Sequence, residues 1–294
     1  MKQYVGWFVR GMGMGAADAV PGVSGGTIAL ITGIYERLMT ALAGFDLKSV
    51  QLLLKGRIKE LWFRHDAPFL VSVFSGVLLA VLVFASLVTW LLDHYPPAVW
   101  AFFSGLIAIS AILLLRDYRP KSILHGLMLL GGLLFAASLA FINPVSASVN
   151  LVTIFFGGML AVCAMILPGI SGSFILLLLG LYLPVLNGVK AFDFAIIGTM
   201  LAGCITGLLV FSKLLHYLLE KYHQATLCLL TGVVIGSLVK LWPWQALQGE
   251  SNLWLLPQEY ELVVNQSAFL AICAITFILG AALVSLADRF SNTD

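Results

Sequence analysis

The stretch Pro21-Gly22-Val23-Ser24-Gly25-Gly26-Thr27 interrupts a hydrophobic region, and the fold can be predicted from it. Proline lacks a backbone N–H and glycine adds backbone freedom, so the Pro21-Gly22 pair is expected to break a helix. A small, hydroxyl-bearing turn and a new apolar run follow. This order leaves several free N–H groups at the start of the new helix, and such groups favour an anion.

The stretch is repeated later in the chain. It recurs 147 residues on as Pro168-Gly169-Ile170-Ser171-Gly172-Ser173-Phe174, which predicts a second helix break at Pro168 and Gly169. Gly33-Ile34-Tyr35 recurs at the same offset as Gly180-Leu181-Tyr182. Further on, residues 91–95 match 218–222 at an offset of 127. The sequence therefore predicts two repeats, residues 1–145 and residues 146–294.

The composition defines the broad class. Of 294 residues, 61% are hydrophobic and only 10% are charged, with a mean hydropathy of +1.02, which excludes a soluble globular domain and predicts a polytopic membrane protein. A net charge of +2 gives no indication of nucleic-acid binding. The four cysteines lie in apolar runs without CxxC spacing and are interpreted as core residues, so neither a metal nor a cofactor is expected.

Apolar segments follow the same plan in both halves. The first half has segments at 4–17, 24–43, 67–92, 97–116 and 122–142, and the second half has them at 150–166, 171–186, 192–215, 225–242 and 266–287. The predicted fold is an all-α polytopic membrane protein built from two repeats. Each repeat has a broken or re-entrant helix pair followed by three transmembrane helices.

Two insertions and the distribution of basic residues predict the orientation. Residues 46–65 mix five Lys or Arg residues with apolar ones, as in a basic amphipathic helix on the cytoplasmic leaflet, whereas residues 243–265 are rich in Trp and Pro. If both termini are cytoplasmic, nearly all Lys and Arg residues lie inside, and the 243–265 insertion is extracytoplasmic. Only Lys190 and Lys240 fall outside. The two repeats then have inverted topology, and broken helices in inverted repeats are typical of transporters.

The duplicated turns predict an anion site. Backbone groups at a break within the membrane are tolerated only inside protein or beside a wet cavity. Two opposed helix starts would direct N–H and hydroxyl groups at a small anion such as a phosphate group. The candidate phosphate-binding residues of the two turns are Ser24, Gly25, Gly26, Thr27, Ser171, Gly172 and Ser173. The alternative is that both motifs only kink core helices for packing.

Charged residues occur beside the first motif and are missing beside the second. Asp18 corresponds to Met165, and because ionisable groups in the membrane are costly, Asp18 is the first candidate for H⁺ or Na⁺ coupling. A helix cap is the alternative role. Arg10 is expected either to neutralise Asp18 or to contact the anion. Glu36 is expected first of all to form an interfacial pair with Arg37 that closes the segment, and it is also the second coupling candidate.

Two enzymatic interpretations are disfavoured. Both motifs contain the GxSG pattern of rhomboid-type intramembrane proteases, but such a serine needs a base within hydrogen-bond reach. All five histidines lie at segment ends or in loops. A lipid phosphatase would need a cluster of Arg, Lys and His on one face, and the outer loops offer none. The sequence therefore predicts no enzymatic activity.

The residues from Gly11 to Glu36, GMGMGAADAVPGVSGGTIALITGIYE, resemble the signature of the PopT-type polyprenyl-phosphate transporters, a bacterial membrane family formerly classed as a domain of unknown function. The second copy, from Leu167 to Ser173 and on through Gly180 to Tyr182, fits as well. The resemblance implies translocation of undecaprenyl phosphate from the outer to the cytoplasmic leaflet of the bacterial inner membrane, for recycling in cell-envelope synthesis. It implies no particular binding residues, so the candidate site rests on the physical argument.

Two other functions remain open at the level of sequence. One is a transporter or channel for a small soluble anion that uses the same paired breaks. The other is a non-transporting scaffold for envelope enzymes, for which the serines of the two turns would be dispensable. The coupling ion and the oligomeric state do not follow from the sequence.

Overall fold

The computed structural model describes residues 2–18, 24–45, 47–142, 149–248 and 251–291. In the first half the helices are α1 (Lys2–Asp18), α2 (Gly25–Ile31), α3 (Tyr35–Ala43), α4 (Leu47–Leu54), α5 (Ile58–Arg64), α6 (Ala67–His94), α7 (Pro96–Asp117) and α8 (Ile123–Leu139). In the second half they are α9 (Leu151–Ile166), α10 (Gly172–Leu178), α11 (Tyr182–Lys190), α12 (Phe194–Lys221), α13 (His223–Ser237), α14 (Pro257–Val264) and α15 (Leu270–Ser291).

The fold is that of an all-α, multi-pass membrane protein, as predicted. Within the described residues, four apolar helical stretches are long enough to cross a bilayer: Ala67–Phe84, Pro96–Asp117, Phe194–Lys221 and His223–Leu241. The pair α10 and α11, bent by 110° at a short break, has the composition of a fifth span. The bounds of the four single-helix spans agree closely with the segments expected from hydropathy. The inverted topology of the repeats stays a prediction.

Two apolar segments are divided where the sequence predicted continuous helices. The segment at 24–43 forms α2 and α3, and the segment at 171–186 forms α10 and α11. Both breaks fall on a glycine with a left-handed backbone, Gly33 at φ +71° and Gly180 at φ +66°. Glycine adopts this conformation without the steric cost that a side chain brings. The repeated Gly-x-Tyr pattern was the available signal for these breaks.

The two insertions also differ from their predicted forms. Residues 46–65 contain two short helices, α4 and α5, separated at Gly56 (φ +68°), instead of one amphipathic helix. Within residues 243–265 two short antiparallel strands, β1 (Gln245–Gln248) and β2 (Ser251–Trp254), precede α14. The extracytoplasmic position of this second insertion remains a prediction.

Each compact unit of the fold takes residues from both halves of the sequence. One unit comprises residues 1–83 and 144–226, and the other comprises residues 84–143 and 227–294. The boundary predicted between the repeats, at 145/146, lies outside the described residues, so the two-repeat division stays a prediction. The candidate site belongs entirely to the first unit.

Glycines allow close helix packing within the first unit. A Cβ atom added at Gly11 or Gly76 would overlap the backbone of the facing helix in the pair α1 and α6. The same holds for Gly203 and Gly207 in the pair α9 and α12. Because membrane helices have little hydrophobic force to drive them together, such close backbone approach is a main source of their association. The corresponding helices of the two halves thus use the same device.

Candidate functional site

The first turn begins α2 and closes on itself. Ser24 is the N-cap, and its hydroxyl accepts a hydrogen bond from the Gly26 N–H at 3.1 Å. The Thr27 N–H donates to the Ser24 carbonyl at 3.0 Å. Pro21 and Gly22, the predicted helix break, lie outside the described residues.

Asp18 is the hydrogen-bond acceptor for the one remaining amide of the first turn, that of Gly25. Its carboxylate oxygen Oδ1 accepts from the Gly25 N–H at 2.7 Å. A Cβ atom at Gly25 would lie 2.5 Å from the other carboxylate oxygen, so the close approach requires glycine. Asp18 ends α1 and therefore supplies its negative charge to the start of the next helix, where the helix dipole favours an anion. In this structure the amides predicted to face a bound anion are satisfied by the protein itself.

The second turn precedes α10 as the first turn precedes α2, but its hydrogen bonds are different. Gly169 has a left-handed backbone, φ +84°, and Ser171 precedes α10 without capping it. The Ser171 hydroxyl hydrogen-bonds the Ser173 hydroxyl instead, at 2.8 Å. Within the described residues, the Gly172 and Ser173 N–H groups donate to no other group. The start of α10 therefore keeps the free donors that the start of α2 has lost.

The two turns are in direct contact. The Thr27 hydroxyl, fully buried, accepts from the Gly169 N–H at 2.7 Å. A Cβ atom at Gly26 would lie 2.8 Å from the Ile166 carbonyl oxygen, so the first turn is pressed against the end of α9. The sequence predicted that the two motifs would meet, and this geometry agrees with that expectation.

Hydroxyl groups of the first half also complete the end of α9. The last carbonyls of a helix have no partner within the helix. The buried Ser24 hydroxyl faces the carbonyl oxygens of Met165 and Leu167, at 3.3 and 3.2 Å. The Tyr35 hydroxyl donates to the Ile166 carbonyl at 3.2 Å. Tyr35 was not among the predicted site residues, although its place in the repeated Gly-x-Tyr pattern was a usable signal.

The remaining predicted site residues lie away from the turns. Arg10 precedes Asp18 by about 12 Å along α1, and among the described residues it forms no ion pair with Asp18 or any other carboxylate. Glu36 is half-exposed and pairs with His223 Nε2 at 2.8 Å. Arg37 pairs with Asp66 at 2.6 Å, so Glu36 and Arg37 do not form the interfacial pair that the sequence suggested.

Among the residues that the structure describes, the serines of the two turns have no histidine within hydrogen-bond reach. Ser24 and Ser171 bond instead to backbone groups and to Ser173. Metal-ligating residues form no group of three or more in the part of the chain that the structure describes. Chemically, the second turn holds N–H groups without a partner among the described residues, and the first turn holds a carboxylate on the Gly25 N–H. Unpaired N–H groups at a helix start are groups to which an anion could bind.

Fold and site together define a multi-pass helical membrane protein with two broken segments whose turns meet inside one unit. The chain matches the undecaprenyl phosphate translocase-like family over residues 14–253, and it belongs to that family.

Two relatives extend this finding. A polyprenyl-phosphate transporter of Vibrio cholerae is 38% identical over 305 residues, covering 98% of this chain and 97% of that protein. A polyprenyl-phosphate transporter of Staphylococcus aureus is 32% identical over 253 residues, covering 80% of this chain and 85% of that protein. No solved structure matches.

Proposed function

We propose that the protein moves a polyprenyl phosphate, undecaprenyl phosphate in particular, from the outer to the cytoplasmic leaflet of the bacterial inner membrane. Family membership and the two relatives, both polyprenyl-phosphate transporters, support this choice of lipid. The observation that carries the proposal is the contact of the two duplicated turns through Thr27 and Gly169. In this view the protein is a transporter with no catalytic residues, and both of its termini are cytoplasmic.

The physical problem of this transport lies in the headgroup. A polyprenyl chain gains about 0.8 kcal/mol for each buried CH₂, so it stays in the lipid during transport. An isolated charge enters a low-dielectric region only when new hydrogen bonds replace its hydration. Donors fixed at the paired turns meet that requirement, and alternating exposure of the turns to the two leaflets completes the passage.

The proposed phosphate site begins at the second turn. The free N–H groups of Gly172 and Ser173 and the hydroxyls of Ser171 and Ser173 are its first donors. The donors of the first turn, Ser24, Gly25, Gly26 and Thr27, join when they exchange their internal partners for phosphate oxygens. Arg10 lies on α1, further from the turns, and contributes positive charge along the approach.

Asp18 supplies a mechanism for coupling. Its carboxylate holds the Gly25 N–H, the place that a phosphate oxygen would take. Proton uptake by Asp18, or capture of its charge by Na⁺, weakens this bond and frees the amide for the lipid. Inward movement of an anion works against an inside-negative potential at ~2.3 kcal/mol per charge per 100 mV, so such coupling is needed. Glu36, paired with His223, is the second candidate for coupling.

The test is leaflet exchange in proteoliposomes. A fluorescent polyprenyl phosphate is placed in both leaflets, and a membrane-impermeant quencher reports the fraction that remains outside, with and without a pH gradient. We expect exchange well above that of protein-free liposomes, faster with an acidic exterior, and none for the uncharged polyprenol. Exchange no faster than in protein-free liposomes contradicts the proposal. Uptake of inorganic phosphate without lipid exchange would favour the soluble-anion alternative.

A further inference from the structure

A second feature of the first unit suits a lipid. A cavity of about 720 Å³ lies between the end of α3, the start of α4, the first half of α6 and the middle of α12. Eight of its ten lining residues are apolar, among them Phe45, Leu70, Phe74 and Leu209. The two polar lining residues are Ser49 and Lys213. A single cation in an otherwise apolar cavity matches a ligand with a long hydrocarbon part and one negative group.

The cavity opens to the lipid-facing surface. Three of its lining residues, Val71, Phe74 and Ile205, are 54%, 49% and 57% exposed. A smaller cavity of about 210 Å³ adjoins it, shares Phe45, Leu70 and Val71, and extends towards α5. The apolar path therefore runs from α12 to the predicted interfacial helices α4 and α5, where basic residues are concentrated.

Lys213 lies deeper than the end of its helix. At the end of α12, the Lys221 Nζ is 3.0 Å from the Tyr217 hydroxyl and 5.6 Å from the centre of the Tyr222 ring. Tyrosines and lysines of this kind mark a membrane–water interface. Lys213 precedes Lys221 by eight residues, or about 12 Å along the axis.

Lys213 has no counter-charge among the residues that the structure describes. Within the described residues it forms no hydrogen bond or ion pair. The nearest carboxylate on the same helix, Glu220, approaches His216 at 4.0 Å instead. Lys213 itself is exposed, at the mouth of the cavity. A cation on the membrane-facing surface at this depth is costly unless an anion reaches it, and the phosphate of a lipid in the cavity would be such an anion.

We propose that this cavity binds the polyprenyl phosphate next to its headgroup, with the Lys213 ammonium on the phosphate and the first isoprene units against α6 and α12. The inference rests on the proposed function, because it takes the transported lipid as the occupant. Pockets for drug-sized molecules measure about 300–1,000 Å³, so the cavity holds the start of the chain and the rest lies in the bilayer. This site shares no residue with the paired turns. It serves as a second binding site for the lipid, in the leaflet on which α4 and α5 lie.

Photocrosslinking in detergent tests this site. The probe is a polyprenyl phosphate with a diazirine near the headgroup, with uncharged polyprenol and phosphatidylglycerol as competitors. We expect crosslinks at residues 70–74 and 205–209, with little competition from either lipid. Lys213→Gln should weaken binding about tenfold, as expected for loss of a charge-assisted hydrogen bond, whereas Lys213→Arg should retain it. Lys221→Gln, on the same helix but outside the cavity, is the matched control.

A second pair of variants tests the apolar part without changing charge. Leu209→Trp fills the cavity and should reduce crosslinking about tenfold. Leu214→Trp adds the same ring to the exposed side of α12 and should leave crosslinking unchanged. Gel filtration checks that each variant is folded, and Lys213→Arg keeps the charge test interpretable if Lys213→Gln is not.

The outcomes separate the two proposals. If the wild type binds polyprenyl phosphate no better than polyprenol, the proposed function fails together with the cavity. If the wild type prefers the phosphate but Lys213→Gln and Leu209→Trp bind as well as their controls, only the cavity inference is overturned. Equal competition by phosphatidylglycerol also overturns it, because the cavity would then hold ordinary anionic lipid.

Discussion

The turns at Ser24 and Ser171 share one backbone plan and differ in chemistry. Each precedes a helix of seven residues, a left-handed glycine and a helix of nine residues. In the first turn a carboxylate and a serine side chain satisfy the Gly25 and Gly26 amides, whereas in the second turn the corresponding amides are free.

The difference follows from a few substitutions between the repeats. Asp18 corresponds to Met165, which has no charge to place on an amide, and Thr27 corresponds to Phe174, which has no hydroxyl to accept from the other turn. One turn is therefore held by internal hydrogen bonds, and the other keeps free N–H donors. Such asymmetry suits a site that must both hold an anion and release it.

The largest expected effect is that of removing the charge that holds the first turn. Asp18→Asn resembles protonated Asp18, which holds the Gly25 N–H weakly, but it cannot release a proton and so cannot restore the strong bond that ends each transport cycle. We expect leaflet exchange to fall at least about tenfold, ~1.4 kcal/mol, and to lose its response to a pH gradient. Proteoliposome exchange measures both. Glu220→Gln, at an exposed position on α12, is the comparison variant, and an undiminished gradient response in Asp18→Asn would remove Asp18 from the coupling mechanism.

Breaking the bond between the two turns should have the next largest effect. Thr27→Val leaves the buried Gly169 N–H without an acceptor, which costs about 1–3 kcal/mol. Denaturant unfolding in detergent should show this loss. Thr27→Ser keeps the hydroxyl and should stay much closer to the wild type. Equal stability of the valine and serine variants would mean that this bond does not hold the turns together.

The glycines that divide the broken segments should respond alike. Gly33→Ala and Gly180→Ala each force a side chain into a left-handed backbone, at a cost of about 1–2 kcal/mol. Thermal unfolding should reveal similar losses in both halves, because the cause is backbone geometry. Gly126→Ala, inside helix α8 with open space around it, should be neutral or slightly stabilising. Clearly unequal losses at the two glycines would argue against a shared backbone plan.

The smallest effect separates the two serines. Ser24→Ala removes an N-cap and should cost about 1 kcal/mol of stability. Ser171 caps nothing, so Ser171→Ala should change stability by less than about 0.5 kcal/mol while still slowing lipid exchange. Unfolding and exchange measured on the same preparations test this contrast. Similar stability losses in both variants would contradict the conclusion that the serine caps its helix in the first turn and not in the second.

Hydropathy predicted most of the fold. The segments expected at 67–92 and 97–116 are helices Ala67–His94 and Pro96–Asp117, because a spanning helix needs about twenty apolar residues in a row. The breaks at Gly33 and Gly180 lie inside apolar runs, where hydropathy does not change, and only the repeated Gly-x-Tyr pattern pointed to them. The division into units that mix both halves depends on pairings across the sequence, such as that of α7 with α15, which no local pattern encodes.

The sequence predicted which residues form the candidate site, but not the hydrogen bonds that they make. Duplication of the turns indicated that Ser24 and Ser171 belong together, and the contact between Thr27 and Gly169 agrees with it. That Asp18 would hold the Gly25 amide depends on how the chain enters the turn. The cavity at Lys213 is lined by α3, α4, α6 and α12, and α12 is distant in sequence from the other three, so local residue patterns did not predict it.

A structure determined with saturating polyprenyl phosphate tests the central claim most directly. We predict the phosphorus within about 4 Å of the Gly172 and Ser173 amide nitrogens in at least one bound state, with Asp18 released from Gly25 in that state. A lipid-bound structure in which Asp18 still accepts from the Gly25 N–H, and in which no phosphate lies near either turn, would contradict this claim.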